Sequence, residues 1–270
     1  MELVAITDAE FRRVRTMIHE RAGISLSDAK RALVAGRLAK RLRHFGLGSF
    51  SDYLSLLGSG EGRGELQTMV DLLTTNETYF FRESAHFDFL AEQVLATHPA
   101  GAPLEIWSAA CSSGEEVYTL AMVLAEHLGL ERPWRITGTD LSTRVLALAR
   151  SGHYPMSRAR GLPEYYLKKY CLKGVRSAEG TFLIAPELRA RTRFAQVNLI
   201  EPLPKGEPCD VIFLRNVMIY FDPATKRQVV DALIDRLRPG GHLIVGHSET
   251  LHGFSERLRL VRPTIYRRER

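Results

Sequence analysis

The chain has 270 residues, 45% hydrophobic and 25% charged, a composition that excludes disordered, fibrous and membrane-embedded classes and predicts one large or two smaller domains. Cys111, Cys171 and Cys209 are scattered, with no CxxC pair and no histidine at zinc-ligand spacing, so no disulfide frame and no metal are expected and a reduced compartment fits. The opening MELVAITDAEFRRVR turns charged too early for a signal peptide, and no apolar run approaches the ~18 residues of a membrane span, which predicts a cytoplasmic protein; nothing demands more than a monomer.

From Thr7 to about Thr75 the apolar spacing is helical throughout. Phe11, Val14 and Ile18 mark one helix, Tyr53, Leu54 and Leu57 another, and Leu66, Met69, Val70 and Leu73 a last one, with turns at Gly23, at 46–49 and in the glycine-rich GSGEGRG of 58–64. Much of the formal net charge of +6 sits in this region: between Asp28 and His44, Lys30, Arg31, Arg37, Lys40, Arg41 and Arg43 face a single acid. At 100° per residue Val34, Leu38, Leu42 and Phe45 form an apolar stripe beside the basic residues, which predicts a basic amphipathic helix. Such a face is either solvated or a dock for an acidic partner; the absence of interleaved aromatics argues against nucleic acid.

TNETYFFRESAHFDFLAEQVL then reads as a connecting turn and helix over 76–100. From Leu104 short apolar runs alternate with amphipathic helices: LEIWSA, a helix over 115–128, RITGTD and a helix over 142–150, followed by FAQVNL, DVIFLRN, a helix over 223–237, a turn at RPGG, HLIVGHSE and TIYRR. This alternation predicts an α/β domain over 101–270 with a parallel, doubly wound sheet. The segment 153–193 interrupts the rhythm, its two glycine-marked turns suggesting a small hairpin-like insertion.

Ligands of open parallel sheets bind at the carboxyl ends of the strands, and four loops have that position. SAACSSGEE lacks the glycines and lysine of a dinucleotide fingerprint or P-loop, so NAD and ATP are poorly supported; within it Ser113 and Glu116 have capping-box spacing. TGTDLS places Asp140 at a strand end, 26 residues beyond Gly114, where a carboxylate can accept from a ribose diol or cap a helix, although Ser142 could serve as the cap. In QVNLIEP, Asn198 could meet an adenine edge or simply form a turn. LRNVMIYFDP gathers Arg215, Asn216, Tyr220 and Asp222 after a very apolar strand. A ribose-and-adenine site without a phosphate cradle points to S-adenosylmethionine.

Taken in order and spacing, TNETYFFRE, IWSAACSSGEEVYTLAM, GTDLS, VNL, RNVMIYFD and GHSE resemble the CheR-type chemoreceptor glutamate O-methyltransferases, across nearly the whole chain. The resemblance implies a small all-helical N-terminal domain and a Rossmann-like class I methyltransferase domain with an antiparallel β-subdomain inserted at about 155–193. It implies S-adenosylmethionine as donor, S-adenosylhomocysteine as product and no metal. By position, Asn76, Thr78, Arg82, Glu116, Asp140, Asn198, Leu199, Arg215 and Asn216 would line the cofactor site, with Asp140 on the ribose, Asn198 and Leu199 on the adenine, and Glu116 and Arg82 near the methionine moiety. Arg82 and Tyr220 would face the acceptor glutamate, and Arg37, Lys40 and Arg41 would face the receptor. Some relatives bind a receptor C-terminal pentapeptide through the β-subdomain, where Gly174 and Gly180 are retained here and VRSAE between them is not distinctive. Methylation of another protein or of RNA, a non-catalytic cofactor-binding module, and a dehydrogenase are the competing readings, the last the weakest.

Overall fold

The computed structural model describes residues 5–59, 62 and 64–269, and it falls into two compact units, the first running through Thr75 and including Tyr220–Lys226, the second holding Asn76–Ile219 and Arg227–Arg270. In the first unit lie α1 (Asp8–Ala22), α2 (Arg31–Phe45), α3 (Phe50–Gly58) and α4 (Glu65–Leu73). A capping box starts α1: the Thr7 hydroxyl accepts from Glu10 N–H while Glu10 returns to Thr7 N–H. Both α1 and α2 stop at a glycine in the left-handed region, Gly23 (φ 69°) and Gly46 (φ 65°), which no β-carbon disturbs. Phe11, Val14, Ile18, Val34, Leu38, Phe50, Tyr53 and Met69 are buried and form the core of this unit, but Phe45, expected on the apolar stripe of α2, is 40% exposed. Ile24 bridges Phe221 in antiparallel fashion, and Ser25 N–H donates to the Tyr220 carbonyl; no pattern in the sequence marks that return of the chain. Part of the glycine-rich turn expected at 58–64 lies outside the described residues.

The second unit begins with the turns of 76–84 and a helical segment whose ladder changes pitch twice: α5 (Ala85–Phe89), a π-turn over Leu90–Val94 and a 3-10 turn over Leu95–Thr97. Next come β1 (Leu104–Ser108), α6 (Glu115–Leu128), β2 (Trp134–Asp140), α7 (Thr143–Ser151), β3 (His153–Pro155), α8 (Glu164–Tyr170), β4 (Cys171–Lys173), β5 (Thr181–Ile184), α9 (Pro186–Arg189), β6 (Thr192–Gln196), β7 (Cys209–Leu214), α10 (Pro223–Arg236), β8 (Leu237–Val245), β9 (Leu258–Arg262) and β10 (Ile265–Arg268). Seven strands form one sheet in the order β6-β2-β1-β7-β8-β10-β9, parallel except for β10, which runs antiparallel to both its neighbours. The strand order reverses at β1 and β7, so ligands are expected outside the carboxyl ends of those strands. The insertion is a separate antiparallel sheet, β3-β5-β4.

Two readings of the sequence need correction here. RPGG is not a turn between elements but the opening of β8, where the pairing with β7 shifts register beside Cys209 and Gly240 takes φ 83°; a glycine-bearing bulge and a turn share the same local composition. The strand β9 was not anticipated, because its LRLVR is mostly exposed and alternates over only three residues, too short a run to announce it.

Candidate functional site

The parallel register brings Ser108, Asp140, Gln196 and Leu214 to one end of the sheet, so the loops that follow them share that edge. The loop after β1 crosses towards β2, with Cys111 N–H donating to the Thr139 carbonyl at 2.8 Å and Ser112 N–H to Asp140 Oδ2 at 2.9 Å. Asp140 Oδ1 accepts from Ser142 N–H at 2.9 Å. Ser142, not Asp140, caps α7, its hydroxyl accepting from Val145 N–H. The carboxylate is thus fixed at the strand end by two backbone amides, and since each of its oxygens can accept twice, that anchoring suits a diol ligand.

Capping-box spacing at Ser113 and Glu116 is not used as a box. Gly114 (φ 96°) precedes α6 with no side-chain cap, and the Ser113 hydroxyl donates to Glu115. Glu116 is instead released to the site: Oε1 accepts from the Ser108 hydroxyl at 2.7 Å and Oε2 from Arg215 Nη1 at 2.9 Å. Arg215 is 2% exposed at its side chain and also donates to Glu83 Oε2 at 3.0 Å and to the carbonyl of Arg82. Its guanidinium lies over the Phe87 ring, 5.5 Å from the centroid. One buried cation therefore ties the end of β7 to α6 and to the turns of 76–84.

Asn216 adopts φ 58°, which turns its N–H to Glu249 Oε2 at 2.8 Å and its side-chain amide to Glu83 Oε1 at 3.1 Å. Glu249 also accepts from Met218 N–H and Gly246 N–H, each at 2.8 Å, and is buried. Gly246 permits this: a β-carbon there would lie 2.5 Å from the Asn216 amide nitrogen. Burial pushes the Glu83 carboxyl up, but Arg215, Asn216 and the His247 N–H outweigh it, and the group settles below the usual glutamate range. Of the six non-glycine residues with positive φ among the described residues, Phe81, Glu83, Ser112 and Asn216 sit on these loops, a concentration of strain of the kind found at ligand sites.

Arg82 donates Nη1 to the Glu77 carbonyl at 2.7 Å, its guanidinium 5.8 Å from the Tyr79 ring centroid. Asn76 accepts at its carbonyl from the Ser112 hydroxyl, and Thr78 lies half-buried two residues on. Asn198 forms the turn it could have been predicted to form, Oδ1 accepting from Ile200 N–H at 3.4 Å and Nδ2 donating to Glu201 at 2.8 Å; Leu199 beside it is buried. Tyr220 belongs to the first unit and is half-buried there. The basic face of α2 is divided: Arg37 Nη1 donates to the carbonyls of Leu72, Leu73 and Thr74 at the end of α4, and Arg41 grips Glu65 with two bonds of 2.8 and 2.7 Å, leaving Lys40 exposed. Two of the three expected receptor-facing residues thus hold their own unit together.

Glu83 and Glu249 were not picked out from the sequence, although both stand at the ends of motifs that were, TNETYFFRE and GHSE. Their partners lie far off in sequence, so spacing carried no signal. Cys111 is buried, and burial with Asp140 and Glu116 nearby pushes its thiol well above the ordinary range, so it is inert here.

A doubly wound sheet with an acidic residue ending the second strand places the second unit in the Rossmann-like class, and a first loop of small residues without a phosphate cradle suits a nucleoside cofactor that carries no phosphate. The family model described as CheR methyltransferase, SAM binding domain, matches residues 76–267, and that described as CheR methyltransferase, all-alpha domain, matches residues 9–74; the chain belongs to the CheR methyltransferase family. It is similar to the chemotaxis protein methyltransferases of Salmonella typhimurium, 40% identical over 97% of this chain and 91% of that protein, and of Escherichia coli, 41% identical over 98% and 92%. Chemotaxis protein methyltransferase 2 of Pseudomonas aeruginosa is 41% identical, over 96% of this chain and 93% of its own length. Among the described residues no helix is long and apolar enough to cross a membrane.

Proposed function

We propose that this protein transfers the methyl group of S-adenosylmethionine to glutamate side chains of chemoreceptor cytoplasmic domains, giving glutamate methyl esters and S-adenosylhomocysteine. The observation that carries the reading is the anchored Asp140 beside the buried Arg215–Glu116–Glu83 cluster, in a chain alignable over nearly its full length with chemotaxis protein methyltransferases. The donor set fits the cofactor: Asp140 is an acceptor for the ribose hydroxyls, Asn198 and Leu199 offer polar and apolar edges to the adenine, and Glu116, Arg215 and Asn216 provide a polar wall for the amino-acid end.

The bound cofactor supplies an activated methyl group on its sulfonium. Glutamate side chains have an ordinary pKa of ~4.3, so at neutral pH the acceptor is already an anion and needs no general base. This chain's task is then to hold the carboxylate in line with the methyl group and keep water away. An anion and a cation combine to give neutral products, so a strong fixed charge on the acceptor would favour the separated reactants. Arg82, propped by Glu77 and Tyr79 and held at its carbonyl by Arg215, is suited to orienting the acceptor, with Tyr220 as the second contact. On α2 Lys40 is exposed and, with Arg37 and Arg41 beside it, would meet an acidic receptor helix.

The test is incubation with methyl-labelled S-adenosylmethionine and chemoreceptor-containing membranes, followed by mild base. Label on the receptor that is released as volatile methanol is the expected result. Base-stable label, or label on another protein, would overturn the glutamate ester.

A further inference from the structure

Beside the Arg215 cluster is a group of side chains that the methyl-transfer chemistry leaves unused. His86 is 2% exposed, and among the described residues its Nδ1 has no hydrogen-bond partner. Thr264 Oγ lies 2.6 Å from the Pro263 carbonyl and 2.8 Å from His86 Nε2, and its single hydroxyl hydrogen can serve either acceptor. With that hydrogen on the Pro263 carbonyl, the ring proton is on Nε2 and Nδ1 presents a lone pair, the tautomer that can bind a cation. That lone pair faces Glu83 Oε2 at 3.5 Å. Glu83 Oε2 already accepts from Arg215 and from the His247 N–H, so the atom that a cation between the two would satisfy is the buried Nδ1. The exposed ring of His247 completes the set: one ligand atom from each of Glu83, His86 and His247 lies within 4.8 Å of the others, and the two imidazoles meet edge to face with centroids 4.9 Å apart.

We propose that Glu83 Oε2, His86 Nδ1 and a ring nitrogen of His247 form a binding site for a divalent transition-metal ion of the zinc class. Donors about 2.0–2.2 Å from a tetrahedral zinc stand ~3.4 Å from each other, so the Glu83–His86 separation of 3.5 Å already has the required span, and only the exposed His247 ring has to turn inward. Two imidazoles and one carboxylate are a donor set zinc favours, with a position left for water. The surrounding charge permits a dication: Glu83, Glu116 and Glu249 outnumber Arg215. The Thr264 contact at Nε2 fixes the orientation of the His86 ring from behind. Coordination at Oε2 competes with its bonds from Arg215, the side chain that also holds the Arg82 carbonyl, so the metal would act as an inhibitor of the adjoining site. The sequence expectation of no metal rested on cysteine and histidine spacing and on the family resemblance; these ligands come from separate loops, with His247 161 positions after His86 in the chain.

The experiment is titration of the full-length, metal-free protein with Co2+ alone, followed by its visible absorption, with Zn2+ added in competition. A saturable, one-to-one tetrahedral spectrum that Zn2+ bleaches is expected. His247→Ala and His247→Gln should weaken the affinity by about tenfold or more, while His252→Ala, at an exposed histidine outside the cluster, should not change it. Absence of a stoichiometric spectrum, or an unchanged affinity in both His247 variants, would overturn the site. Neither cofactor nor acceptor is needed for this reading, so its failure would leave the methyl-transfer proposal standing, and failure of that proposal would leave the metal site testable.

Discussion

Asp140 shows how a functional side chain can be legible in sequence while its support is not. Its position at the end of an apolar run following a small-residue loop was enough to suggest a ribose acceptor, but that Ser112 and Ser142 amides clamp the carboxylate is known only from the fold. Asp140→Ala removes charge-assisted hydrogen bonds, each worth about 1.5–3 kcal/mol, so calorimetry should show S-adenosylhomocysteine binding weakened by roughly tenfold to a hundredfold. Wild-type affinity in that variant would exclude the ribose role. Arg82 and Tyr220 are assigned to the acceptor, which predicts a different signature: Arg82→Ala and Tyr220→Phe should lower turnover more than they lower cofactor affinity, and steady-state kinetics beside calorimetry would separate the two. Unaltered turnover in both would remove them from the acceptor site. Glu83 and Glu249 were illegible for a physical reason. A carboxylate that accepts from Arg215 or from the Asn216 and Met218 amides is recognisable only once chain segments well over a hundred or some thirty residues apart have been brought together.

Among the elements, helices and buried strands could be read because their periodicity is the imprint of burial itself; Phe11, Val14 and Ile18 recur at helical spacing because they face one core. Where burial is slight, as in β9, the imprint is missing, and where a glycine pair serves a bulge instead of a turn, as at Gly240 in β8, composition misleads. The basic helix α2 is the instructive case. Its charge was visible, but charge does not say whether a cation faces outward, and Arg41 lies against Glu65, which is 6% exposed at its side chain and also accepts the Tyr53 hydroxyl. Removing one partner of such a pair strands a buried charge at a cost of about 3 kcal/mol. Arg41→Ala should therefore lower the denaturation midpoint substantially, whereas Lys40→Ala should leave stability alone and reduce methylation of receptor at low salt more than at high salt. The reverse pattern would make Arg41 the docking residue and Lys40 a bystander.

For the molecule as a whole, the response to acid follows from which titratable groups the fold has buried. Burial, aided by Arg267, pushes His242 down to about 4, and burial with Arg215 does the same to His86. A histidine whose pKa is lower in the folded than in the unfolded chain keeps the fold stable while it is neutral, so its contribution is complete above about pH 6.5 and is lost as the pH falls from there towards 4, where the unfolded chain binds the extra proton. The carboxylates act in a lower window. Glu10 is held below its ordinary range because the Thr7 and Ser51 bonds outweigh burial, and Asp222 is drawn down to about 2 by the Thr225 backbone N–H and His19; their contributions stand above about pH 4.5 and disappear only as the pH falls through those lowered values. The protein, already at a formal +6 with its histidines neutral, should consequently lose stability in two stages on acidification, the first from the histidines. Urea denaturation midpoints of the metal-free protein, measured between pH 7.5 and 4.5, should decline throughout that range, and His242→Gln should make the decline shallower by removing one proton of uptake. A midpoint that stays level down to pH 4.5 in the wild type would mean that both imidazoles titrate alike in the folded and unfolded chain, and burial could not then be what keeps them neutral.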